Sequence, residues 1–106
     1  MIFNFPDADG GIIPLGTLLA DDAGNLYGTT SGSSNNCFEG LCGTVFELSF
    51  NSSGGWNITV LYAFTDTGGD GGDPAAGLIF GPNGYLYGTT YNGGTLNTGA
   101  VFAITP

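Results

Sequence analysis

The sequence predicts an all-β chain of two propeller-like blades, each of about four short antiparallel strands. Composition, punctuation and an internal repeat carry that expectation. Of the strong helix formers, Lys, Arg and Gln are missing, and the only Glu residues are Glu39 and Glu47. Val, Ile, Thr, Tyr and Phe stand in short runs bounded by Gly, Asn, Asp and Pro, the pattern of short strands joined by tight turns. The chain is acidic, yet 42% of its 106 residues are hydrophobic and 13% aromatic. That is enough apolar material for a core, and it separates the chain from disordered acidic sequences.

Self-comparison supplies the organisation. Leu26-Tyr27-Gly28-Thr29-Thr30 returns as Leu86-Tyr87-Gly88-Thr89-Thr90, sixty positions later. Pro14, Leu18 and Gly24 align with Pro74, Leu78 and Gly84. Gly43 to Leu48 answers Gly99 to Ile104, and Ile2-Phe3-Asn4-Phe5 answers Leu61-Tyr62-Ala63-Phe64. In chain order, one unit is an aromatic strand, an acidic Gly loop (6–11 or 65–73), Pro and a short strand. A Gly turn, the Leu-Tyr-Gly-Thr-Thr strand, a Gly loop and a Val-Phe strand follow. The division falls at 1–60 for the first blade, which includes a Cys-bearing loop insertion, and 61–106 for the second.

The turns follow from local chemistry. Gly81-Pro82-Asn83-Gly84 places Asn-Gly between Gly77–Phe80 and Tyr85–Tyr87, and Asp21-Asp22-Ala23-Gly24 stands in the same place in the first copy. Asn51-Ser52-Ser53-Gly54-Gly55 joins Val45–Phe50 to Trp56–Tyr62 as a second hairpin. Four strands per repeat of this length is the sequence pattern of a propeller blade.

These motifs resemble the choice-of-anchor tandem repeat family called GloVer. The shared pattern is Pro, then Gly-Leu-Ile, Gly-x-Leu-Tyr-Gly-Thr-Thr, Gly-Gly and Gly-x-Val-Phe, followed by a Trp-bearing strand and an aromatic-Phe pair. The resemblance covers essentially the whole chain as two units. It implies a bacterial surface or secreted protein, export, variable anchoring tails and no enzyme activity. Where such repeats carry a basic residue after Val-Phe, this chain has Glu47 and Ala103.

Two blades do not close a ring, since propellers need roughly four to eight. The C-terminal edge carrying Val101, Phe102 and Ile104 is therefore expected to accept the N-terminal strand carrying Ile2, Phe3 and Phe5 of another copy, a head-to-tail contact. Closure gives a ring and non-closure a filament; the alternative is a two-unit fragment of a longer surface-anchored repeat protein. Nine acids stand against no Lys, Arg or His, so the formal charge is −9. That excludes a nucleic-acid partner, an electrostatic hold on anionic membranes and any ion pair between side chains. No apolar run reaches the eighteen residues of a membrane span, and the first residues lack the basic start of a signal peptide.

Several residues invite chemistry. Cys37 and Cys42, in the loop insertion, read as a disulfide suited to an exported protein, with free thiols as the alternative. Asp7 and Asp9, and Asp66, Asp70 and Asp73, offer hard oxygen ligands with Gly between them, as Ca²⁺ loops do; the competing role is turn formation. Asn51 and Asn57 fit the N-glycosylation pattern. Tyr27, Tyr87 and Trp56, with Thr29, Thr30, Thr89 and Thr90 nearby in sequence, offer rings and hydroxyls to glycans, the basis of a carbohydrate-binding lectin alternative. The recurrence of both tyrosines fits blade-to-blade packing better. Asp21, Asp22, Asp70 and Asp73 are the carboxylates a glycosidase would need, but no spacing singles out a pair. The expected function is a non-enzymatic extracellular assembly module.

Overall fold

The computed structural model describes residues 13–14, 16–31, 43–64, 74, 76–90 and 99–106. Among them lie eight strands and no helix: β1 (Ile13–Pro14), β2 (Leu19–Ala20), β3 (Leu26–Ser31), β4 (Thr44–Phe50), β5 (Trp56–Ala63), β6 (Ile79–Phe80), β7 (Leu86–Thr90) and β8 (Ala100–Ile104). They form two antiparallel sheets. The all-β expectation holds, and both Leu-Tyr-Gly-Thr-Thr segments are strands.

In the first sheet β1 and β2 lie end to end along one edge of β3, opposite Thr30–Ser31 and Leu26–Tyr27. The sheet is therefore four strands wide, continuing through β4 to β5. The second sheet runs β6-β7-β8 and is three wide among the described residues. β5 crosses the expected division at residues 60 and 61 without a break and pairs with β4 from Phe50↔Trp56 to Thr44↔Ala63, with a bulge between Val45 and Phe46. The ladder then extends one step, because the Phe64 amide donates to the Gly43 carbonyl at 2.9 Å. So Leu61–Phe64, which opens the second unit in sequence, completes the first sheet in space.

Three turns share one construction. In Asp21–Asn25, Asn51–Gly55 and Gly81–Tyr85 the first residue's amide donates to the fifth residue's carbonyl at 2.8–3.0 Å. The fourth residue of each is Gly24, Gly54 or Gly84, with φ between +80° and +89°, a conformation that costs other residues about 1–2 kcal/mol. Side chains reinforce the turns: Asn51 Oδ1 accepts from the amides of Ser53 and Gly55, both at 3.0 Å. Asn83 Oδ1 accepts from the Tyr85 amide at 3.2 Å.

Alternation along the strands gives each sheet two distinct faces. Paired residues share a face, so Tyr27 with Glu47 and Thr29 with Val45 define a tyrosine face. Leu26 with Leu48 and Gly28 with Phe46 define a glycine face. The second sheet repeats the arrangement with Tyr87, Ala103, Thr89 and Val101 against Leu86, Ile104, Gly88 and Phe102. Glycine is required at the centre of both glycine faces. A Cβ on Gly28 would stand 2.7 Å from the Phe46 ring and 2.9 Å from Leu18; on Gly88, 2.5 Å from the Phe102 ring and 2.9 Å from Leu78.

The glycine face of the second sheet seats on the tyrosine face of the first. The shared core joins Tyr27 and Val45 to Phe64, Leu78 and Leu86, with Leu19, Phe80, Phe102 and Ile104 packed against it. Phe80 meets Tyr27 edge-on at 5.6 Å between ring centroids, and Phe102 meets Phe64 at 5.1 Å. The Thr29 hydroxyl donates to the Ala76 carbonyl at 3.0 Å, and Pro74 is fully buried. Apolar area and backbone acceptors make this joint.

Candidate functional site

The covered face and its repeat equivalent differ sharply. On the first sheet Val45 is fully buried, whereas its equivalent Val101 on the second is 77% exposed. Thr29 is buried and Thr89 exposed; Tyr27 is buried and Tyr87 half-buried. Ile79 is also exposed beside Tyr87, its cross-strand partner. Between them runs a groove of about 330 Å³ lined by Ala76, Gly77, Ile79, Tyr87, Thr89 and Val101. At the corresponding positions of the first sheet, the second repeat inserts Ala76 and Leu78.

A second groove, also about 330 Å³, runs along β8 beside Tyr62 and Phe64. Among the described residues β8 pairs only with β7, while its equivalent β4 is flanked on both sides by β3 and β5. Of the residues expected at the assembly edge, Val101, Phe102 and Ile104 lie on β8; Ile2, Phe3 and Phe5 lie outside the described residues.

The first repeat also holds a polar cluster. The Tyr27 phenol faces two carboxylates, Glu47 Oε2 at 2.8 Å and Asp21 Oδ2 at 3.0 Å, and its one proton is available to either. Burial pushes the phenol well above its ordinary value of 10.0, and the hydrogen bonds to Glu47 and then Asp21 act in the same direction. The Asn25 side chain, donating to Asp21 at 3.0 Å, is the main cause holding the Asp21 carboxyl below its ordinary value of 3.8. In the second repeat Tyr87 donates instead to Asn83 Oδ1 at 3.3 Å, and its cross-strand partner is Ala103. The departure at Glu47 thus gives Tyr27 a partner, which the cross-strand register reveals and the linear sequence does not.

The proposed ligand residues do not converge. Trp56 packs edge-on against Phe50 at 5.5 Å, at the Asn51 turn of the β4–β5 hairpin. Tyr27 lies buried between the two sheets and offers no ring face to a ligand. Asn51 Nδ2 donates to Asn57 Oδ1 at 3.2 Å, so the two glycosylation candidates hold each other across that hairpin. Thr30 pairs with Thr44 at 2.7 Å, and Thr90 accepts from the Ala100 amide at 2.9 Å, as cross-strand links within the sheets. Of the carboxylates weighed for hydrolysis, Asp21 is occupied as a turn acceptor and Asp22 lies exposed beside it. The calcium candidates Asp7, Asp9, Asp66, Asp70 and Asp73, and the cysteines Cys37 and Cys42, lie outside the described residues. Among the described residues no helix is long and apolar enough to cross a membrane.

No family model, curated protein or solved structure matches the chain.

Proposed function

We propose that this chain is a non-enzymatic extracellular structural module of the GloVer type. Its two propeller-like blades associate head to tail with further copies into a ring or a filament at the bacterial cell surface. The contrast between buried Val45 and exposed Val101 carries the reading, because one repeat's face is sealed by its neighbour while the same face of the next stands open. An exposed apolar face of this kind is a usual mark of a protein interface.

The contact between the two repeats supports the blade geometry. Gly16 and Ala76 are equivalent residues, yet a Cβ on Gly16 would stand 2.8 Å from the Ala76 carbonyl oxygen. Equivalent residues come into contact near the axis relating their repeats, as the innermost segments of a propeller do. The absence of His, Lys and Arg removes the commonest general bases and cationic stabilisers, in keeping with a structural role.

Copies of a chain at −9 repel one another and meet only through apolar, aromatic and backbone contacts. Raised ionic strength or Ca²⁺ screens that repulsion, so assembly is expected to strengthen with either. Light scattering across protein and salt concentration tests the reading. Masses at multiples of 10.7 kDa that grow with salt are expected; a 10.7 kDa monomer throughout would sink it.

A further inference from the structure

The geometry points to the contact itself: the open tyrosine face of the second sheet binds Pro14 and residues 16–20 of a second copy. The inference rests on the assembly reading above and assigns its surface. The template is internal. The first sheet's tyrosine face already holds Pro74 and residues 76–80 of the second repeat, with Pro74 buried, Leu78 only 5% exposed and Phe80 against Tyr27. The equivalent residues at the front of the chain stand free to make the same contact: Pro14 is exposed, Leu18 is 51% exposed and Ala20 is exposed. One chain thus carries a vacant seat at one end and an unseated copy of its occupant at the other.

Residue equivalence fixes the docking. Thr89 takes the role of Thr29, which donates to the Ala76 carbonyl, so its hydroxyl faces the Gly16 carbonyl of the second copy. Val101 and Tyr87, in place of Val45 and Tyr27, receive Leu18 and the half-buried Leu26 of that copy. Gly99 takes the place of Gly43, where a Cβ would stand 2.6 Å from the Pro74 ring, and so receives Pro14. Three differences weaken the joint relative to the internal one. Ala76 takes the place of Gly16, where a Cβ would stand 2.8 Å from the facing carbonyl, so the second copy must sit slightly further out. Ala20 replaces Phe80, so Tyr87 loses the edge-on ring partner that Tyr27 has, and Ala103 replaces Glu47. Phe46 and Leu48 are already buried within the chain, so the seated element is Pro14 and residues 16–20 with Leu26 rather than the whole glycine face. The contact is heterologous, with unlike surfaces on its two sides, and therefore propagates beyond a dimer.

Two single variants and their mixture test this. Val101→Asp spoils the seat and Leu18→Asp the occupant; each places a carboxylate at an exposed position, so the fold is expected to survive, with a cooperative melt as the check. Each variant alone is expected to run as a 10.7 kDa monomer where the wild type assembles. Mixed in equal amounts, they retain one good seat and one good occupant between them and form a species of twice that mass and no larger. If Leu18→Asp loses its melt because Leu18 also packs over Gly28, Pro14→Asp replaces it. Variants that assemble as fully as the wild type would overturn this surface while leaving assembly intact. A mixture that stays monomeric would overturn the head-to-tail arrangement. A wild type that is itself monomeric would overturn the assembly reading and this surface with it.

Discussion

The tyrosine faces of the two repeats have nearly the same side chains and opposite fates. Tyr27, Thr29 and Val45 lie under a second sheet; Tyr87, Thr89 and Val101 face solvent. Burial is therefore not a property of the motif. It belongs to the stacking position, as expected where each unit cannot cover its own apolar face and relies on the next. The comparison also separates two roles inside one strand. Gly28 and Gly88 are held to glycine by the same ring and leucine in both repeats, whatever lies outside. The valine and threonine beside them depend on a neighbour.

The largest expected effect comes where the joint meets backbone strain. Gly43 has φ +100°, and a Cβ there would meet Thr30 and stand 2.6 Å from Pro74 of the other repeat. Gly54 has φ +89° with nothing within 4 Å. Gly54→Ala is expected to cost about 1–2 kcal/mol for the left-handed conformation alone. Gly43→Ala adds overpacking and is expected to cost about 2–5 kcal/mol in all. Urea unfolding of both variants measures the difference, and equal losses would mean that Pro74 yields and the joint is loose.

Next in size is the matched valine pair. Val45→Ala removes buried methyl groups and leaves a gap, a loss of about 2 kcal/mol. Val101→Ala at its exposed equivalent is expected to stay within about 0.5 kcal/mol in the monomer. Thermal melts at low concentration and low salt make the measurement. Under the proposed assembly, the gap between the two is expected to narrow at high salt. A Val101→Ala loss as large as that of Val45→Ala in dilute monomer would break the comparison.

Strands and turns were legible because both are local. Period-two alternation, the recurring Leu-Tyr-Gly-Thr-Thr segment and the Asp-, Asn- and Gly-bearing turns mark where chain direction reverses. The β4–β5 pairing was legible too, because the Asn51–Gly55 turn joins Val45–Phe50 to Trp56–Tyr62, but the repeat that this hairpin's far end completes was not. Leu61–Phe64 matches Ile2–Phe5 in sequence and so opens the second unit, yet it pairs with β4 of the first sheet and carries Phe64 across to Phe102. Sequence recurrence marks a strand without saying which sheet it completes. For the site, recurrence of Tyr27 and Tyr87 pointed to packing between repeats, and Tyr27 lies buried between the two sheets. Which copy is covered was not legible, since identical motifs carry no record of their neighbours. Nor was the cluster at Tyr27, because Asp21, Tyr27 and Glu47 meet only through a turn and a cross-strand register.

The smallest expected effect separates the two repeats by charge. In the first repeat the opening turn residue is Asp21, whose carboxylate accepts from the Ala23 and Asn25 amides, both at 2.9 Å, and from the Tyr27 phenol. In the second, Gly81 occupies that position and the neutral amide of Asn83 serves Tyr85 and Tyr87. A carboxyl held below its ordinary value stabilises the fold in its ionised form. That contribution is complete above about pH 4, where the unfolded carboxyl is also ionised, and fades as pH falls through the lower folded value. Tyr27 works at the other limit. Its raised phenol favours the fold in its neutral form, so its contribution is complete below pH 10 and fades as alkali ionises the unfolded tyrosine. Melting temperature measured from pH 5 to pH 2 is therefore expected to fall less steeply in Asp21→Asn than in wild type. An Asn83→Ala variant loses a turn acceptor but no titrating group, so its curve runs parallel to wild type. If Asp21→Asn also runs parallel to wild type, the acid sensitivity of this chain lies outside the first turn and the two repeats do not differ in charge response.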